Sequence, residues 1–482
     1  MSRISRRKFL EESMIVAAAA ATVSKPKSAL AKGHEPGAGD TVRHAVIGCR
    51  IRGPQHVEAI APIPGVEIAY VCDPDRDLAA QLAETASRQQ GRPVKAVRDM
   101  REIFDDPNID TVSIAAPNHW HALAAIWAMR AGKHVYLEKP VSHNISEGRR
   151  IIQVARKTGR ICQAGMQRRS WSGIKAVADY IAQGKLGKIT LGRAIVYRRR
   201  DSIGPKGNYP LPPQVDYNLW LGPARDLPIH RPQLHYDWHW DWNTGNGELG
   251  NNGIHFCDVC RWVMGLEGFG SRAISVGGRF GYEDAGETPN THMVVNDYGD
   301  TKVIIEIRGL ASDPYSEKIR DGYVIHGTEG FISGESLFDL DGNLVRTFAG
   351  GQEDRDHFEN FFTAVRSGRR EDLNAEIAEG HASSAMTHVG NISHRLGHLT
   401  TPNEISAKLE IYQLSEAVSE TFSRMTTHLQ SHGIDLAKAK IILGPLLHID
   451  RETEAFIDNP AANSFLTREY RAPFVVPAEN EV

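Results

Sequence analysis

Val42-Arg-His-Ala-Val-Ile-Gly48-Cys-Arg-Ile-Arg-Gly53, a helical run opening at His56-Val-Glu-Ala-Ile60, and then Val66-Glu-Ile-Ala-Tyr-Val-Cys-Asp73 decide the fold of this chain. The two apolar runs read as strands, and the helical run between them makes a strand–helix–strand unit. The alternation continues through Thr111-Val-Ser-Ile-Ala-Ala116, His134-Val-Tyr-Leu137 and Arg160-Ile-Cys-Gln-Ala164, which predicts a doubly wound parallel α/β sheet. Gly48 and Gly53 hold the outer positions of a G-x-G-x-x-G turn, the arrangement that sets a pyrophosphate on a helix N-terminus. Arg50 stands where the middle glycine belongs, so its side chain must swing away or lay its guanidinium on the phosphates. Asp73 ends the second strand, where a carboxylate accepts the adenosine ribose hydroxyls and repels a 2′-phosphate. The expected cofactor is NAD, with NADP left open by Arg76, and its cradle is Gly48, Arg50, Ile51, Arg52, Gly53 and Asp73.

Around this segment lie 482 residues with 56 basic and 59 acidic side chains, a net charge of −3. With 41% hydrophobic and 24% charged residues, the composition excludes disordered, collagen-like and multispanning membrane classes, and near-neutrality argues against a nucleic-acid partner. Five scattered cysteines are too few for a disulfide scaffold. Ser5-Arg-Arg-Lys-Phe-Leu10, apolar Met14–Val23 and Ala29-Leu-Ala31 resemble a twin-arginine export signal with its cleavage site, which predicts a periplasmic or otherwise exported protein. The apolar stretch is far shorter than the roughly 20 residues of a membrane span. The expected organisation is a signal over 1–31, a linker over 32–40, a cofactor domain over 41–167, an α+β substrate domain over 168–400 and a helical or extended extension over 401–482. Period-two runs at 189–200, 272–281, 291–308 and 322–347 predict a large open antiparallel sheet, whose exposed face suggests a homodimer or homotetramer. Helices are expected over 357–365 and 375–396.

Two further elements end neighbouring strands on the ligand-binding edge: Ala116-Pro117-Asn118-His-Trp-His121 and Glu138-Lys139-Pro140. With these, the chain resembles the glucose–fructose oxidoreductase / inositol dehydrogenase / rhizopine-catabolism (Gfo/Idh/MocA) family from Val42 into the C-terminal region. The resemblance implies NAD or NADP in an N-terminal Rossmann domain and a sugar or polyol over the C-terminal sheet. It implies that Lys139 moves the proton of a substrate hydroxyl. Ala116, Pro117, Asn118, His121, Glu138, Lys139 and Gln167 are expected along the cofactor, and Arg168 near the substrate.

Gly247-Glu-Leu-Gly-Asn251-Asn-Gly-Ile-His255-Phe-Cys-Asp258 carries the second catalytic candidate. Asn251 and His255 share one face if the segment is helical, and His255 is the best acid/base by its ordinary pKa. In the family an Asp stands where this chain has Asn251, so the familiar dyad is replaced, and Asp258 is the group left to orient the imidazole. Tyr236-Asp-Trp-His-Trp-Asp-Trp242, if extended, places Trp238 and Trp240 on a face that stacks on sugar rings. Cys257 and Cys260 read as buried helix residues, and no metal is expected. Three readings follow: a sugar or polyol oxidoreductase with a retained cofactor; a redox-neutral glycosidase, lyase or epimerase passing through a keto-sugar; and a non-catalytic sugar-binding relative.

Overall fold

The computed structural model describes residues 39–482 apart from 317, 318, 320, 352 and 353. The expected signal and most of the linker lie outside the described residues. Strands β1 (Val42–Ile47), β2 (Val66–Cys72), β3 (Lys95–Val97), β4 (Thr111–Ile114), β5 (His134–Leu137) and β6 (Cys162–Ala164) form a six-stranded sheet in the order β3-β2-β1-β4-β5-β6. All its pairings are parallel. The strand order reverses beside β1, so the crevice at the switch point opens between the tips of β1 and β4. Gly48 is obligatory there: its φ is +95°, and an added Cβ would lie 2.5 Å from the carbonyl oxygen of Ala115. Helix α1 (Arg52–Ile60) packs close enough that a Cβ on Gly53 would fall 1.9 Å from the Gly48 oxygen. Helix α2 (Arg76–Gln90) is capped by Asp75, whose side chain accepts from the Asp77 and Leu78 amides. Helices α3 (Asn118–Arg130) and α4 (Ile145–Thr158) complete the winding, the latter capped by Asn144.

The second sheet has 12 strands, centred on β7 (Ile189–Val196), β8 (Arg272–Gly278), β9 (Thr291–Asp297), β10 (Lys302–Arg308) and β11 (Asp321–Gly327). It is mostly antiparallel, but β7 and β10 run parallel, so the sheet is mixed. Its inner face carries α5 (Ser172–Ala182), α6 (Ile254–Val263) and α8 (Ile377–Arg395), which join it to the first sheet in one continuous core. Helix α7 (Asp354–Ser367), expected in the second domain, packs on the first sheet: Phe358, Phe361 and Phe362 are buried with Val42 and Val46.

The outer face is covered in part. Helices α9 (Pro402–Ile411) and α10 (Glu416–Ser431) lie over it, and Ile405, Leu409, Phe422 and Met425 pack on Ile274, Val276, Met293 and Ile304. Each such side chain stabilises by roughly 1.5–3 kcal/mol when fully buried. Over β8, β9 and β10 the sheet face that argued for a dimer or tetramer is therefore covered by the chain's own residues. Strand Ile441–Leu443 then joins the same sheet, so the segment expected as an extension over 401–482 contributes to the second domain's sheet. Beyond it the chain wraps back over the first domain, with Phe474 against Trp120 and Trp127.

Candidate active site

An open cleft with a volume of about 220 Å³ runs along the carboxyl tips of β1, β2, β4 and β5. Its walls include Gly48, Arg50, Ile51 and Arg52, then Asp73, and then Ala116, Pro117, Asn118, His121, Glu138, Lys139 and Asn251. The dinucleotide turn and the lysine thus occupy one continuous groove. At the far end, Asp73 accepts from the Cys49 amide at 2.8 Å and the Asp75 amide at 2.9 Å. Burial pushes its carboxyl up, and these two amides oppose that. Arg50 is exposed at the mouth and Arg76 pairs with Asp77 at the surface, so the charge that a 2′-phosphate would meet first at the ribose position is the Asp73 carboxylate. The groove fits NAD: glycine leaves room at the turn, and a fixed carboxylate marks the ribose position.

Lys139 follows β5, and its Nζ donates to the backbone oxygen of Asn251 at 2.7 Å and lies 3.5 Å from its side-chain oxygen. Burial lowers its pKa from 10.5 to about 8, with the Glu138 carboxylate working in the opposite direction. Asn251 lies in a π turn, Leu249–Gly253, that feeds directly into α6. Such turns widen the helix locally and re-aim backbone carbonyls. Glu248, given no role in the sequence reading, anchors this turn: it pairs with Arg200 at 3.0 Å and accepts from Asn252.

His255 opens α6 beside this lysine without lining the cleft. Burial, with the charges of Lys139 and Arg168, holds its imidazole well below the ordinary range, so at neutral pH it is uncharged. The expectation that Asp258 orients it is overturned. Asp258 points into the core, where Arg169 holds both its oxygens at 3.1 and 3.0 Å through Nε and Ser383 also donates. Arg168 lies between the rings of Trp171 and Phe256, 4.6 and 4.4 Å from their centroids.

Three residues expected along the cofactor, Arg52, Glu138 and Gln167, share one hydrogen-bond cluster. Glu138 Oε1 accepts from Arg52 at 2.8 Å, His56 at 3.1 Å and Gln167 at 2.9 Å. Burial alone would raise this carboxyl; the Arg52 charge and the His56 bond hold it well below its usual range. Gln167 lies beneath the groove, and Arg52 also binds Asp354 at 2.8 Å. These residues fix the shape of the β5 tip. His121 does the same, bonding the oxygens of Pro140 and Ala116 at 2.6 and 2.8 Å.

The aromatic segment is not extended: Asp237–Trp240 is a 3₁₀ turn, entered through Tyr236 at φ 67°. Trp240 is buried, with Arg200 5.4 Å over its ring, while Trp238 stacks on His239 and both line the cleft. Sequence reasoning missed this strap. Residues 212–239 cross the groove, Trp220, His235 and Tyr236 join its wall, and the strap is pinned to the adenosine end. His235 Nε2 bonds Asp75 at 3.1 Å, and the Asp216 amide donates to the Pro74 oxygen at 3.0 Å. Cys257 and Cys260 are buried in α6, as expected.

Two models of one oxidoreductase family match the chain, the NAD-binding Rossmann fold over residues 42–166 and the C-terminal alpha/beta domain over 200–419. Levoglucosan dehydrogenase of Pseudarthrobacter phenanthrenivorans is 27% identical over 340 residues, 66% of this chain and 79% of that protein. A glycosyl hydrolase family 109 protein of Shewanella pealeana is 30% identical over 209 residues, 40% of this chain and 46% of its own length. The solved structure of levoglucosan dehydrogenase in complex with NADH has a TM-score of 0.55 at 20% identity, covering 73% of this chain and 97% of that one.

Proposed function

The chain belongs to the Gfo/Idh/MocA oxidoreductase family, and on that premise we propose that it oxidises a secondary hydroxyl of a sugar or polyol with Lys139 as the proton acceptor. The observation that carries this reading is the Lys139–Asn251 contact inside a groove whose other end is built for a dinucleotide. The levoglucosan dehydrogenase similarity supports a carbohydrate substrate. NAD in the groove supplies the hydride acceptor. Lys139, whose pKa is about 8, takes the hydroxyl proton as the alcohol becomes a ketone. The backbone oxygen of Asn251 fixes the ammonium, and its side-chain amide is placed to orient a substrate hydroxyl. Neutral His255 serves as a hydrogen-bond partner beside them.

Arg6-Arg7, the apolar run after them and Ala29-Leu-Ala31 support export by the twin-arginine route to the periplasm, with the cofactor carried inside the folded protein. The strap supports retention, because Trp220, His235, Tyr236 and Trp238 wall the groove opposite the dinucleotide turn. A cofactor retained in this way also favours a second reading, a redox-neutral glycosidase or lyase. There, oxidation of one ring carbon to a ketone would acidify the neighbouring C–H, and loss of that proton with the glycosidic group would leave an unsaturated ketone. Water would add to it in the glycosidase case, and the hydride taken at the start would be returned to the carbonyl carbon. Asn251 in the position of an aspartate, and the similarity to a glycosyl hydrolase family 109 protein, support it.

One experiment separates the readings. The protein is purified from the periplasm, denatured, and the supernatant assayed for NAD; holoprotein is then incubated with sugars and glycosides without added cofactor. Released NAD, with turnover only on adding a hydride acceptor, supports the oxidoreductase. Released NAD with hydrolysis of glycosides supports the redox-neutral reading. A protein that neither holds nor binds NAD overturns both.

A further inference from the structure

A second cavity, of about 220 Å³, is separated from the cofactor groove by Asn246. The Asn246 side chain accepts from Asn118 on the groove side at 2.9 Å and donates to the His143 oxygen on the cavity side at 3.0 Å. Three arginines converge on this cavity: Arg225, Arg395 and Arg468. Arg395 lies over the Trp242 and Phe465 rings, 5.2 and 4.4 Å from their centroids, and Arg468 is steered by the backbone and side-chain oxygens of Asn243, both at 2.7 Å. Among the described residues none of the three pairs with a carboxylate within ion-pair distance, and Glu469 is the one acid on the wall. The nearby Glu147 is already committed to the His143 amide, Asn144 and Tyr470 at 2.7, 2.9 and 3.1 Å.

The uncharged groups of the wall carry complementary information. Arg468 Nη1 lies 3.3 Å from His143 Nδ1, and a guanidinium has only hydrogens to offer, so Nδ1 accepts and the neutral ring carries its proton on Nε2. That Nε2–H is buried without a partner. Asn391 donates its amide to the Asn246 oxygen at 2.9 Å, which leaves its own buried Oδ1 without a donor. Unmet buried donors and acceptors cost free energy that an occupant can recover.

We propose that this cavity binds a small hydroxylated oxyanion, a sugar acid or sugar phosphate. Its anionic head meets the three guanidinium groups and His143 Nε2–H, and its hydroxyl donates to Asn391 Oδ1. Charge-assisted, paired donors of this kind suit carboxylate and phosphate equally, whereas the orphan acceptor selects for a hydroxyl beside the charge. The site uses no residue assigned to the proposed hydroxyl oxidation.

The test is calorimetric titration of the full-length holoprotein at fixed ionic strength with glucuronate, glucose 6-phosphate and inorganic phosphate in separate arms. Saturable one-to-one binding of glucuronate or of glucose 6-phosphate is expected, and the arm that binds identifies the head group. Arg225→Gln and Arg395→Gln should each weaken it about tenfold, while NAD content stays unchanged. Arg225 is exposed, so its variant keeps the fold and the test intact. No saturable binding in any arm, binding of inorganic phosphate alone, or binding indifferent to both arginine variants would each overturn the proposal.

Discussion

Lys139 Nζ donates to the backbone oxygen of Asn251 at 2.7 Å across 112 residues of chain. This bond ties the tip of the fifth strand of the first sheet to the π turn that precedes α6. The ammonium position is therefore set jointly by both domains. Replacing the side chain should separate chemistry from binding. Lys139→Met is expected to lower kcat by about 10²- to 10⁴-fold, with NAD content after denaturation unchanged. Lys139→Arg should not recover activity, because a guanidinium stays protonated. Rapid-mixing assays of hydroxyl oxidation decide it.

The same lysine sets the pH dependence. Its pKa is lowered from 10.5 to about 8, and only the neutral amine accepts a proton. Below pH 8 the rate of hydroxyl oxidation should fall about tenfold per unit and level off above it. His255 is neutral throughout this range, so His255→Asn should keep the limb at pH 8. A limb that moved with His255 and stayed in Lys139 variants would reverse the two roles.

Much of this was legible in the sequence, for reasons specific to each residue. Gly48, Gly53 and Asp73 belong to one contiguous strand–turn–helix–strand unit, whose chemistry is local. Lys139 was marked by the residues on either side of it. The strap was not legible, since the His235–Asp75 bond joins positions 160 apart and depends on a 3₁₀ turn inside an aromatic run that also alternates like a strand. The titration of His255 was misjudged from its ordinary pKa, because burial and two neighbouring cations are properties of the packed structure. Asp258 had the right spacing to reach His255, but Arg169, 89 residues earlier, claims it.

Gly48→Ala tests the cradle. A Cβ at this position would lie 2.5 Å from the Ala115 oxygen and would have to adopt φ +95°. The variant should emerge without NAD and with a lowered Tm, measured by the absorbance of the denatured supernatant and by calorimetry.

His235→Ala tests the strap. Losing the 3.1 Å bond to Asp75 frees one of the ties that hold residues 212–239 over the groove. NAD loss on dialysis should accelerate by about tenfold, the equivalent of one charge-assisted hydrogen bond. Secondary structure by circular dichroism should be unchanged.

Phe422→Ala tests the covering of the second sheet. Phe422 is 3% exposed and packs in the cluster that includes Ile274 and Met293. The expected cost is about 3–5 kcal/mol, read from urea unfolding. The variant should also bind a hydrophobic dye that the parent excludes.

Helices α9 and α10 roof strands β8, β9 and β10 of the twelve-stranded sheet. Apolar side chains that the chain's own helices hide need no second copy to bury them, so this patch adds no concentration-dependent term to stability.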